Sequence, residues 1–345
     1  MTSISLIQNV SCDEHCPVAS LPEGTCNAIQ SFFPQTWSQL EVEPLKEGSV
    51  YKITDPCQGP SAISVLRSCF PSWSAERCER ETEIAYWIAN AQAGPQVLGV
   101  SPDSRVTRLE YFSGGTLNPI ASLPLSLIAD CLRKLHSVGL PPQIRGEQES
   151  TSFARMHRQY KQVCDLYGSL PEAIGRIYAS ICDLEAMLDT YSTKALCHLD
   201  LHCHNIMWHE GSLYAIDYGM AGPDHPYFDL ANVAMYLDLQ EHEELTLLYK
   251  YEEGAVPERK LKEYGYFRPL AYVGKIMWGL IRAHKEGATA EMIEQVWAED
   301  EVMPIAECFS WIYSGKDRTA LEDLRYARSA YERFCQKSRD YQDLR

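Results

Sequence analysis

Residues 195–232 read ALCHLDLHCHNIMWHEGSLYAIDYGMAGPDHPYFDLAN. The stretch contains a hairpin signal. Ile206, Met207 and Trp208 form a short apolar run, His209-Glu210-Gly211-Ser212 is a polar turn, and Leu213 to Ile216 form a second run. Folding about Gly211 sets Asn205 nearly opposite Asp217 at the open end, roughly 5 Å apart at the backbone. Asp200 lies on the segment leading into that end. A carboxylate, an amide and a second carboxylate are thereby expected to converge.

This donor set suits phosphoryl transfer. An acceptor hydroxyl needs a carboxylate to orient it and take its proton, a role for Asp200. A nucleoside triphosphate needs Mg²⁺ on its phosphate oxygens, held by hard oxygen ligands such as Asn205 and Asp217. The pattern H-x-D-x-x-x-x-N at His198 to Asn205, then Ile216-Asp217, then Asp229-Leu230-Ala231, resembles the aminoglycoside phosphotransferase and choline kinase superfamily. That resemblance implies an α+β, two-lobed protein-kinase-like fold. It has a small antiparallel β-sheet lobe with one helix and a larger, mainly helical lobe. It also implies that Asp229 braces the catalytic loop and that His198 supports it.

A rival reading of the same stretch is a metal cluster, because Cys197, His198, His202, Cys203, His204 and His209 crowd together. Tetrahedral zinc sites draw on a second, distant ligand pair, and none is evident. A strand from Ile206 would also send alternate side chains to opposite faces. Solvated or hydrogen-bonded loop histidines are the simpler reading of His202, His204 and His209.

The chain has 345 residues, enough for two domains with a core. No apolar run approaches the ~18 residues of a membrane span, and the N-terminus lacks the basic and apolar regions of a signal peptide. Thirteen scattered cysteines suggest reduced thiols and a cytoplasmic location. The net charge of −16 argues against nucleic acid and suits a small cationic substrate.

Residues 1–38 read as an N-terminal extension, with helix character only over 21–33. The nucleotide-binding lobe is expected over 39–113. Strands flank a polar turn at Gly48 and Ser49, where backbone N–H groups are able to approach a nucleotide. A further strand ends in Arg67. By the resemblance, Arg67 binds the nucleotide phosphates, and its guanidinium fork matches their oxygens. Ser74 caps a helix over 75–91, with Ile84, Trp87, Ile88 and Ala91 on its buried face. The resemblance implies a helix glutamate paired with the phosphate-binding cation, for which Glu81 is the first choice and Glu83 the second. Strands over 96–100 and 106–112 lead to Gly114-Gly115, and backbone groups of Glu110 to Phe112 would meet the adenine edge.

Residues 114–345 read as helical apart from the catalytic segment. The last third, with helices over 229–238, 241–252, 258–285, 289–299, 303–313 and 317–338, is rich in aromatics. Glu241, Glu243 and Glu244 are interleaved with them. Aromatic rings beside carboxylates hold cations, so Tyr272 and Trp278 are expected to line an acceptor pocket. Choline, ethanolamine and thiamine kinases of the superfamily bind such cations. Residues 216–222 resemble their I-D-[WF]-E-Y-A-G, with Gly219 standing where glutamate is frequent. The reading is thus a Mg²⁺- and ATP- (or GTP-) dependent kinase of a small cationic alcohol, with an aminoglycoside acceptor or a kinase-fold binding protein without turnover as alternatives.

Overall fold

The computed structural model describes residues 6–7, 18, 21–46, 49–59, 61–117, 124–142, 144, 151–188, 194–312 and 318–342. In chain order, β1 (Leu6–Ile7), α1 (Glu23–Phe32), β2 (Glu41–Lys46), β3 (Val50–Thr54), β4 (Ile63–Ser68), α2 (Ala75–Asn90), β5 (Val97–Val100), β6 (Val106–Glu110) and β7 (Thr116–Leu117) come first. Next come α3 (Leu125–Ser137), α4 (Ser152–Tyr167), α5 (Glu172–Leu188), β8 (Ala195–Cys197), β9 (Ile206–His209), β10 (Ser212–Ala215) and β11 (Gly222–Asp224). The remainder is helical: α6 (Pro226–Tyr236), α7 (Glu241–Tyr251), α8 (Glu258–Lys285), α9 (Ala290–Trp297), α10 (Ile305–Ile312) and α11 (Ala320–Gln342). The chain divides into two compact units, Met1–Leu123 with His204–Ala221, and Pro124–Cys203 with Gly222–Arg345.

The first unit is built on an antiparallel sheet of order β2-β3-β4-β6-β5. Period-2 alternation buries Tyr51 and Ile53 on β3 and Ser64, Leu66 and Ser68 on β4. Ala28 and Ile29 of α1 join Val42, Tyr51, Ile53, Leu66 and Val106 in one core. The end of the expected N-terminal extension is thus part of this core, where α1 joins α2 among the described helices of the unit. On the other helix, Ser74 Oγ accepts from Arg77 N (3.3 Å), the expected N-cap of α2.

A second sheet of this unit has the order β1-β7-β9-β10. The hairpin turns through Glu210 and Gly211, both at positive φ (46° and 84°), a two-residue turn suited to strand twist. Its register pairs Ser212 with His209 and Ala215 with Ile206. Ile216 N donates to Asn205 O (2.9 Å), so Asn205 faces Ile216 and the expected pairing is off by one residue. The fold axis lies between Glu210 and Gly211 because the turn takes two residues. β7 pairs with β9 at Thr116↔Met207, which joins the hairpin to the first unit. The sequence had grouped it with 114–345. A Cβ on Gly114 would lie 1.5 Å from the Trp208 carbonyl oxygen, so close backbone approach, beyond freedom to turn, requires glycine there.

In the second unit, α8 packs against α4, α6 and α11. Tyr264, Phe267, Leu270, Ala271, Val273, Ile276, Met277 and Leu280 are buried at three- and four-residue spacings. The bounds of α7 and α8 lie within one residue of those read from the sequence. The three-residue strands β8 and β11, which pair Cys197 with Gly222 and Ala195 with Asp224, were not foreseen.

Candidate active site

Arg67, on β4, links two acidic residues of the first unit. Its Nε donates to Glu81 Oε1 (2.9 Å) and its Nη2 to Asp217 Oδ1 (2.6 Å). Burial alone would lower the guanidinium pKa, but Asp217 and Glu81 outweigh it and hold the pKa above its usual value. Lys46 Nζ lies 3.8 Å from Asp217 Oδ2, a partner the sequence reading missed. Glu81 is buried on α2, whereas Glu83 is exposed. Asp217 is in the left-handed region at φ 66°, which aspartate tolerates better than most side chains.

Of the other nucleotide-side residues, Gly48 lies outside the described residues. Ser49 is buried, its N–H donates to Lys46 O (3.1 Å), and its carbonyl accepts from Ser68 N (2.7 Å). The Glu110 N–H already donates to Gln96 O (2.9 Å), so this group is not free to meet an adenine edge. Phe112 is 5% exposed and stacks on His209 at 4.3 Å, a packing role that the sequence did not reveal. A Cβ on Gly219 would lie 2.6 Å from the Trp73 ring, which also packs at 3.9 Å from the Arg77 guanidinium. This contact accounts for glycine where the resembling segments often hold glutamate.

The second unit holds Asp200 and its support. Leu199 sits at φ 63°, in the same left-handed region as Asp217 but without a polar side chain to ease it. The Asp229 carboxylate holds this turn by accepting from His198 N (2.6 Å) and Leu199 N (2.8 Å). His136 Nε2 lies 3.1 Å from Asp229 Oδ2 and donates to it, since a carboxylate only accepts. Burial alone would raise the Asp229 pKa, but His136 and His198 hold it below the usual carboxylate range. His198 is wholly buried beside them.

Asp200 also has a partner that the sequence reading missed. Lys275 Nζ, from α8, is 3.6 Å from Asp200 Oδ1 and 4.5 Å from the Tyr236 ring centroid. Burial alone would raise the Asp200 pKa, but Lys275, His202, His198 and Arg155 bring it below the ordinary value. The missed signal was in plain sight. Between Leu270 and Leu280, Lys275 is the single charged residue of an apolar run, and a lysine buried that way needs a partner.

The residues expected to line the acceptor pocket make the following contacts. Tyr272 is 4% exposed. Trp278 has Tyr326 edge-on at 5.8 Å and the Arg318 guanidinium over its ring at 4.8 Å. Glu244 is buried and accepts from Arg268 Nε (2.6 Å) and Lys337 Nζ (2.7 Å). Glu243 caps its own helix by accepting from Gln240 N (2.8 Å).

Asn205 and Asp217 fit a hard divalent cation. Both offer oxygen, Asn205 is buried, and the pairing of Asn205 with Ile216 sets the two residues at one hairpin end. Of the histidine and cysteine crowd, only Cys197 joins a group of possible ligands among the described residues, with His136 and Asp229. The Asp229 oxygens are already taken up by the hydrogen bonds above, so this group reads as a brace.

A family model described as phosphotransferase enzyme family matches residues 48–264, more than half of the chain. The chain belongs to that family. No curated protein matches it. Among solved structures, it is similar to a choline/ethanolamine kinase family protein from Mesorhizobium loti. The TM-score is 0.65 at 18% identity, over 93% of this chain and 99% of that one. Choline kinase from Cryptosporidium parvum has a TM-score of 0.64 at 13% identity, over 92% and 96%. Choline kinase LicA from Streptococcus pneumoniae has a TM-score of 0.58 at 18% identity, over 89% and 98%. A LicA structure also exists in complex with AMP. These likenesses bear out the kinase-like α+β fold expected from the sequence.

Proposed function

We propose that this phosphotransferase moves the γ-phosphoryl group of ATP, or of GTP, to a hydroxyl of a small molecule, with Mg²⁺ bound by Asn205 and Asp217. The observation that carries this reading is the joining of Arg67 to both Glu81 and Asp217 in a chain whose Asp200 is held by a braced loop. Arg67 binds phosphate oxygens through its planar fork, and Glu81 fixes that fork. When bound, Mg²⁺ neutralises charge on the phosphate oxygens.

Asp200 orients the acceptor hydroxyl and takes its proton as the new P–O bond forms. The bond between the γ-phosphorus and the β–γ bridging oxygen breaks, the nucleoside diphosphate leaves with that electron pair, and the proton passes to solvent. The depressed Asp200 pKa keeps the carboxylate ionised, and therefore able to accept, at neutral pH.

A cytoplasmic setting is supported by the thiol state of the described cysteines, among which no disulfide is found. No helix among the described residues is long and apolar enough to cross a membrane. An acceptor resembling choline or ethanolamine draws support from the structural relatives alone. The test is ADP or GDP release with Mg²⁺ over a panel of alcohols that includes aminoglycosides. Asp200→Asn is expected to cut kcat by about 10³-fold while Mg-nucleotide binding persists. Normal turnover by that variant sinks the mechanism, and absence of nucleotide binding by the native chain leaves a kinase-fold binding protein.

A further inference from the structure

The second unit contains a cation beside the carboxylate assigned to the acceptor hydroxyl. The Lys275 ammonium lies 4.5 Å from the Tyr236 ring centroid, within cation–π range, and 3.6 Å from the carboxylate assigned to the acceptor hydroxyl. Its side chain is 16% exposed and that of Asp200 is 37% exposed. Tyr236 is further packed by Phe309 (5.1 Å) and His202 (5.5 Å). Two other carboxylates of the region accept backbone hydrogen bonds. Asp229 is bound as described, and Asp224 accepts from Ser152 N (2.6 Å) and His225 N (2.7 Å). Arg155 adds a second cation near Asp200, its Nη1 donating to the Leu199 carbonyl (3.2 Å).

An acceptor whose hydroxyl sits on Asp200 has its next few carbons within reach of Lys275. A quaternary or primary ammonium two carbons from that hydroxyl would meet a like charge. A carboxylate or phosphate two or three carbons away would meet its counter-ion. Resting on the kinase reading above, we propose that the acceptor is a small hydroxylated anion, its anionic group held by Lys275 and its hydroxyl by Asp200. Lys275 is then the residue that sets specificity. The overall charge of −16 works against an anion at long range, but salt screens that field over about 8 Å under physiological conditions. The contact itself decides.

The experiment compares size-matched acceptors with Mg-ATP: 3-hydroxypropanoate, glycerate and glycerol phosphate against choline and ethanolamine. At least one anion is expected to exceed both amines in kcat/KM by about 10-fold or more, and the better anionic arm names the carboxylate or the phosphate as the preferred group. Lys275→Met should raise KM for that anion by about 30-fold with kcat within about 3-fold, and Lys275→Arg should restore most of the affinity. Thermal melts of both variants report folding, and the Arg variant keeps the test valid if Met at this position unfolds the chain. A preference for the amines, an unchanged KM in Lys275→Met, or silence of every anion overturns the proposal. Nucleotide binding separates the two failures. If Mg-ATP still shifts the melting temperature, the kinase reading stands without this acceptor class, and if it does not, that reading fails too.

Discussion

The charged cluster of the first unit and that of the second are assembled in different ways. Around Arg67, the partners come from a strand, the next helix and a hairpin. They make direct hydrogen bonds of 2.6 and 2.9 Å. Around Asp200, the partner comes from the middle of a long helix, and its ammonium stays at 3.6 Å. The first cluster is a closed set of ion pairs, fixed by secondary structure that the sequence signals locally. The second depends on how α8 packs, which brings Lys275 to the half-buried Asp200. The cluster around Arg67 is thus written in motifs, whereas that around Asp200 is composed by tertiary packing.

The sharpest test of that contrast is Asp229→Ala. It strips two backbone amides and His136 of a buried acceptor, and about 3–5 kcal/mol of stability should be lost by urea denaturation. A loss below 1 kcal/mol would mean that the loop bearing Asp200 holds itself. In the first unit, Gly114→Ala drives a methyl group into the Trp208 carbonyl and should cost about 1–3 kcal/mol by the same measurement. A neutral result would show that β7 and β9 have room to part.

Glu81→Gln weakens the hold on Arg67 and should raise the KM for ATP about 10-fold with a smaller change in kcat. Glu83→Gln, on the exposed face, serves as the control. If the two variants behave alike, the closed cluster does not position the nucleotide. The gentlest probe is acid. Since the Asp229 pKa is depressed in the folded state, its stabilisation is complete above the ordinary carboxylate pKa of about 3.9 and fades as pH falls through the folded value. Asp229→Asn should flatten the stability–pH curve in that acid window, and an unchanged slope would assign acid sensitivity to other carboxylates.

Much of the fold was legible because local signals agreed with the tertiary structure. Ser74 capped its helix, the 258–285 periodicity marked α8, and the H-x-D-x-x-x-x-N spacing marked the segment that the fold braces. The hairpin register slipped by one residue because a four-residue polar run does not reveal that only two residues make the turn. Helical spacing alone does not separate core aromatics such as Tyr272 from ligand-facing ones, because both fall on the same stripe. Lys275 was hidden for a different reason. Its partner is Asp200, 75 positions earlier, and no periodicity joins them. The strands β8 and β11 were too short to show alternation.

Leu199 and Asp217 share one consequence for the whole chain. Each holds a non-glycine residue in the left-handed region, at a cost of about 1–3 kcal/mol apiece against a total margin of about 5–15 kcal/mol. A lineage carrying both starts with a narrowed tolerance for further mutation. Evolving this scaffold toward new acceptors, in nature or in the laboratory, therefore calls for stabilising changes elsewhere before the acceptor side is diversified.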